Sequence, residues 1–290
     1  MNDSTSPRGI FMPHPRRRNG DVPGRYPLQA TVQALTPQGT KCTETILVHG
    51  DAYSLNQIGP NMDPCVFSDP LPWIWSYCRM SSSGGAVWGG NYIMDATDGV
   101  PWKTGRLLNR ELRVNDIVFF GSFENNGKIW IDTVLVVGEK KRWKVTPLKG
   151  KASVLTDPPK QVEKNSDVWR FHFEDHLHNH RKIYVETPYY SIFGSMYEQT
   201  QRSYEYSYIP WVDNDTLFCL SGPDLSQYPG KILHDLLVQS RQKVASVRPL
   251  LFNYDLAKAL WDYLWSRSNL RVVSAIASTE VKSFEHVLRS

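Results

Sequence analysis

Asp132 lies in the middle of Lys128-Ile-Trp-Ile-Asp-Thr-Val-Leu-Val-Val137, a run whose β-branched and aromatic side chains otherwise describe a buried strand. On simple alternation Ile129, Ile131, Thr133 and Leu135 share one face, and Trp130, Asp132, Val134 and Val136 the other. A carboxylate among apolar neighbours must be hydrogen-bonded, ion-paired or partly protonated, because desolvating it bare is costly. Asp132 is therefore either a structural anchor or a chemical tool. Asp95 is the second carboxylate of interest. It falls in GGNYIMDATDGVPWKTG (89–105), a Gly-flanked loop that also carries Asp98, Tyr92 and Trp102, a composition suited to the rim of a pocket. Asp98-Gly99 reads more simply as an ordinary turn.

Four histidines crowd Phe171-His-Phe-Glu-Asp-His-Leu-His-Asn-His180. If the stretch is extended, His172, Glu174, His176, His178 and His180 project to one face, and imidazoles with a carboxylate can hold a divalent metal. Natural metal sites usually recruit ligands from separate elements, so the cluster is expected as a solvated or phosphate-binding loop, with neither metal nor cofactor. Phosphate loops, dinucleotide-binding glycine motifs, H-E-x-x-H, G-x-S-x-G and the zinc deaminase signature are absent from the sequence. Aromatic residues are frequent where loops are expected. EYSYIPWVDNDT (205–216) is the most suggestive, with alternating tyrosines before Pro210-Trp211. Most such rings belong to cores, but a few can stack on a base.

The elements that must hold these residues follow from composition and periodicity. The chain has 290 residues, 41% of them hydrophobic and 12% aromatic, ample for a substantial core. Its net charge of +4 permits a nucleic-acid partner without demanding one. Cys42, Cys65, Cys78 and Cys219 form no C-x-x-C pair and suggest reduced thiols. There is no signal-peptide core and no apolar run of about 18 residues. A cytoplasmic protein without a membrane partner is expected.

Residues 1–25, with Arg16-Arg17-Arg18, read as a mobile basic arm, and 26–290 as a single domain. That domain is β-rich over 26–147, a linker or long loop over 148–167, and mixed and helix-rich over 168–290. Asn125-Asn126-Gly127 predicts a hairpin turn that makes the Asp132 strand one arm of a pair, and Val114-Asn115-Asp116 the turn before it. Period-3.6 patterns predict helices over 231–247, 253–267 and 278–289, with a strand over 270–276. The fold class expected is α+β: a mixed, partly antiparallel β-sheet with a C-terminal helical layer.

WSYCRM-SSSGGAVWGG (75–90), LNRELRVNDIVFFGSFENNGKIWIDTVLVV (108–137), PYYSIFGSMY and YSYIPWV together resemble the nucleotide-modification-associated domain proteins, over about residues 70–215. That resemblance implies contact with double-stranded DNA carrying modified bases. It also implies a DNA glycosylase for hypermodified phage bases, for example glucosylated hydroxymethylcytosine. In such an enzyme Asp132, or failing that Asp95, stabilises the oxocarbenium-like sugar or activates water. Tyr92, Trp102, Tyr208 and Trp211 contact the flipped base. Arg106, Arg110, Arg113 and Arg17 hold the DNA backbone. The alternative is a non-catalytic reader of modified bases, in which Asp132 accepts a hydrogen bond or anchors the core.

Overall fold

The computed structural model describes residues 6–13, 25–52, 66–68, 74–78, 94–95, 112–143, 145–148, 151–154, 189–197, 205–213, 216–243 and 249–280. In chain order the strands are β1 (Gly9–Pro13), β2 (Arg25–Leu35), β3 (Lys41–Ala52), β4 (Val66–Ser68), β5 (Ile74–Cys78), β6 (Met94–Asp95), β7 (Ile117–Phe123), β8 (Ile129–Trp143), β9 (Val145–Leu148) and β10 (Lys151–Val154). β11 (Tyr189–Gly194), β12 (Ile209–Asp213), β13 (Thr216–Leu220), β14 (Leu250–Phe252) and β15 (Leu270–Glu280) follow, with helices α1 (Gly230–Lys243) and α2 (Tyr254–Arg267) flanking β14. The fold is α+β. Thirteen of the described strands form one mixed sheet, whose main path runs β4-β3-β2-β15-β12-β13-β8-β7-β1-β14-β6.

β8 is the spine of this sheet. Its hairpin with β7 turns where the sequence predicts: Gly127 has φ 82°, and its N–H donates to the Glu124 carbonyl at 3.1 Å. The Asn126 side chain accepts from the Lys128 N–H. The preceding turn also forms, with Asn115 at φ 70°. Beyond β7, β8 pairs in succession with β13, with Tyr208 through Val134, and with β11. Both faces of the β1–β7–β8 region are buried. One carries Phe11, Phe119, Ile131 and Val134 against Leu233 and Leu237 of α1 and Leu256, Leu260 and Leu264 of α2. The other carries Ile10, Met12, Val118, Phe120, Leu135, Val137 and Ile192. Each fully buried aliphatic side chain of this kind contributes about 1.5–3 kcal/mol.

Four expectations need correction. Residues 9–13 are not part of a mobile arm: β1 lies between β7, to which it is parallel, and β14, to which it is antiparallel. The apolar run Ile10-Phe11-Met12 is buried, and Arg8 anchors its start. The Arg8 guanidinium pairs with the fully buried Asp116 carboxylate at 3.0 Å, and Asp116 also accepts from the Arg8 and Arg113 backbone N–H groups. Second, residues 151–154, expected within a linker, pair as β10 with β9. Third, residues 278–280 continue β15 along β2, where Ser278, Thr279 and Glu280 pair with Thr31, Ala30 and Gln29. β-branched Thr279 within a run already extended favours the ladder over a new helix. The fourth concerns β8 itself and is taken up with the site.

Candidate functional site

The faces of β8 do not simply alternate. Phe120 pairs with Thr133 while Gly121 pairs with Ile131, so Asp132 is the extra residue of a β-bulge. The bulge inverts the side-chain parity along the strand. Ile129 and Ile131 share a core cluster with Val134 and Val136, whereas Leu135 and Val137 point to the opposite one. Gly121 is required opposite the bulge, because a Cβ there would come within 2.0 Å of the Trp130 carbonyl oxygen. Asp132 is fully buried and is engaged by a polar partner.

The sequence-predicted base contacts Tyr208 and Trp211 are core residues. Tyr208 is fully buried and its hydroxyl donates to the Trp261 carbonyl at 3.1 Å. Burial pushes that phenol well above its ordinary value. Trp211 is 7% exposed and pairs with Leu217 and Leu270 in the ladder. Neither ring lines the cleft described below. Asp95 lies on β6 at the end of the sheet path. Arg113 caps the turn before β7 through its backbone N–H. Tyr92, Trp102, Arg106, Arg110, Arg17 and the His172–His180 cluster lie outside the described residues. Among the described residues, no group of three or more His, Cys, Asp or Glu is placed to hold a metal.

A different set of residues converges. Segment 205–208 runs beside β8, where the Ser207 hydroxyl accepts from the Val136 N–H at 2.8 Å in place of a strand partner. This extended course sends Tyr206 and Tyr208 to the same side, towards α2. On α2, Tyr254, Lys258, Trp261, Asp262 and Trp265 recur at the three- and four-residue steps that make one helical stripe. Tyr206 meets Trp261 and Trp265 edge-to-face, at 5.1 and 5.0 Å between centroids, and Trp261 stacks on Trp265 at 5.4 Å. The Trp261 indole N–H donates to the Tyr206 carbonyl at 2.9 Å, locking the helix to the segment. Asn253 sets the start of α2 by accepting from the Leu256 N–H.

These rings and the β2–β3 turn enclose a cleft of about 440 Å³. Leu35, Thr36, Pro37, Gln38 and Gly39 form one wall, and Tyr197, Tyr206, Trp261 and Trp265 supply aromatic surface. Gly39, at φ 78°, lets the turn close with its N–H donating to the Thr36 carbonyl at 2.9 Å.

Three charged groups, Glu205, Lys258 and Asp262, line the cleft. Glu205 Oε1 lies 2.9 Å from Lys258 Nζ, and its Oε2 accepts from the Tyr254 hydroxyl at 2.9 Å. Lys258 also reaches Asp262 at 3.3 Å. Burial works to raise the Glu205 carboxyl, but the hydrogen bonds from Lys258, from the backbone and from Tyr254 hold it below the usual carboxylate range. The Glu205 hydrogen bond raises Lys258 against the effect of burial. Burial, with the same carboxylate as acceptor, pushes Tyr254 up to about 12. The site is thus a fixed ionised acceptor beside an ammonium donor, over aromatic walls. Such a set offers a fixed acceptor and donor to the polar edge of a ligand; a carboxylate already held by two donors is poorly disposed to abstract a proton.

EYSYIPW carries part of this site in the sequence, since it supplies both Glu205 and Tyr206. The α2 half was missed because Trp261 and Trp265 repeat at core-like spacing, and Lys258 and Asp262 look like an exposed pair. No family model matches the chain, no curated protein matches it, and no solved structure matches it. No helix among the described residues is long and apolar enough to cross a membrane.

Proposed function

We propose that the protein is a reader of modified bases in DNA, holding a base extruded from the duplex in the cleft between the Thr36–Thr40 turn and α2. The observation that carries this reading is the convergence of Tyr206, Trp261 and Trp265 with the ionised Glu205 in one cleft of about 440 Å³. The exposed margins of these rings offer a base an apolar wall, and the adjacent acceptor and donor groups suit its polar edge. The volume lies within the usual range for small-ligand sites and leaves room for a substituent on the base. The resemblance to nucleotide-modification-associated proteins supplies the DNA context. Fluorescence anisotropy with duplexes differing at one cytosine tests it. The reader binds the duplex carrying glucosylated hydroxymethylcytosine at least about tenfold more tightly than the unmodified one. Equal affinity for the two refutes it.

A glycosylase is the second reading, and the bulge at Asp132 favours it, because bulges re-aim single side chains beside active sites. In that reading the Asp132 carboxylate stabilises the developing oxocarbenium ion as the base departs. Abasic sites then accumulate in modified DNA incubated with the protein. DNA that stays intact leaves only the reader.

A further inference from the structure

β2 and β3 pair without interruption from Arg25 and Asp51 to Leu35 and Lys41, and residues of the turn that joins them, Thr36-Pro37-Gln38-Gly39-Thr40, form one wall of the cleft. The root of this hairpin is fixed in the core: Ala34 and Leu35 are buried, and Leu35 also pairs with Arg271 of β15. The turn is tied by three hydrogen bonds. The Thr36 N–H donates to the Thr40 carbonyl at 3.0 Å, the Gly39 N–H to the Thr36 carbonyl at 2.9 Å, and the Thr40 N–H to the Thr36 hydroxyl at 3.2 Å. Pro37, at the first corner, restricts its own φ. The sheet thus holds the tip in place.

Pro37, Gln38, Gly39 and Thr40 are all exposed, and among the described residues a Cβ at Gly39 would meet nothing within 4 Å. The tip therefore projects from the surface at the rim of the cleft, and it carries no charged side chain. A tip built to hold phosphates would carry Lys or Arg, whereas an uncharged one enters a base stack without desolvating an ion. An extruded base leaves a gap in the duplex and an orphaned partner opposite it. Because the tip borders the cleft, a duplex that delivers a base to the cleft brings the vacated position to the tip. Proline is among the side chains that wedge base steps apart, and the Gln38 carboxamide offers both donor and acceptor to the edge of the orphaned base.

We propose that Pro37 and Gln38 are the wedge that enters the stack and occupies the place of the extruded base. The proposal rests on the base-binding reading of the cleft and adds the means by which the duplex is held open.

The test follows binding of the full chain, by fluorescence anisotropy, to one oligonucleotide carrying a single glucosylated hydroxymethylcytosine, as a single strand and as a duplex. Gln38→Ala is expected to lose about tenfold or more in affinity for the duplex beyond its loss on the single strand, where no stack has to be opened. Pairing the modified cytosine with adenine, which weakens the pair in advance, should recover most of that difference. Both positions are exposed, so the Tm of the variants should match wild type. The measurement is repeated with Pro37→Ala and Gln38→Ala combined. Equal losses on duplex and single strand, or no loss on either, in both variants overturn the proposal. A wild-type protein that binds the modified single strand but not the duplex overturns it as well. If wild type prefers the modified over the unmodified base in neither form, the base-binding reading itself fails, a result distinct from a preference that the tip does not influence.

Discussion

Glu205 is the residue on which the site turns, and its ionisation has a readable consequence. Its carboxyl is held below the ordinary value, so its stabilising effect is complete above about pH 4.3, the unfolded value, and is lost as pH falls through the lower folded one. Lys258 is shifted upward, so its contribution is complete below about pH 10.4 and is lost as pH rises through its folded value. The Tm gap between wild type and Glu205→Gln should be level from about pH 5 to pH 9 and close in acid as the wild-type carboxylate is protonated. A gap that widens in acid would contradict the assignment. Asp132 makes a contrasting case. As a buried, engaged carboxylate it predicts that Asp132→Asn lowers Tm by several degrees. A variant that keeps its Tm but forms no abasic sites where wild type does would instead support the glycosylase reading. Sequence alternation drew attention to Asp132 but placed it on a definite face. One extra residue changes that parity, and the bulge depends on Gly121 on the partner strand, which no pattern within β8 announces.

At the scale of elements, the most legible features were those whose physics is local. The Asn-Asn-Gly turn, the Asn253 cap and the α2 period need only neighbouring residues, and all three form. β1, β14 and the continuation of β15 owe their strand state to partners far away in the chain, which local composition does not record. The bulge gives a sharp test. Gly121→Ala drives a methyl into the Trp130 carbonyl and should cost on the order of 2 kcal/mol, seen as a lower denaturation midpoint with unchanged slope. Asn253→Ala should cost about 1 kcal/mol by removing the cap of the helix that carries half the cleft. The cleft was only half legible for a related reason. Its two sides, 205–206 and 258–265, meet only because segment 205–208 pairs with β8 at Val134 and α2 packs across it.

For the whole molecule, the first strand matters more than its position in the chain suggests. Removing residues 1–13 opens the facing edges of β7 and β14 and deletes Ile10, Phe11 and Met12 from the core, so the truncated chain should fail to accumulate in folded form. An arm without structural work would be dispensable. Asp116→Ala, which removes the buried carboxylate that accepts from the Arg8 guanidinium and from the Arg8 and Arg113 backbone N–H groups, should cost about 3 kcal/mol. The sequence-based expectation that Arg106, Arg110 and Arg113 hold phosphates has its own test: replacing them by Ala should flatten the dependence of DNA affinity on salt. The central claim is that one base lodges in the cleft lined by Tyr206, Trp261 and Trp265, beside Glu205, and the most direct test compares the affinities of wild type and Glu205→Gln for two duplexes that differ at a single modified cytosine. Loss of the charged acceptor should weaken binding of the modified duplex by about tenfold or more while leaving the weaker binding of the unmodified duplex unchanged. A folded Glu205→Gln variant that still distinguishes the two duplexes as wild type does would place the modified base elsewhere.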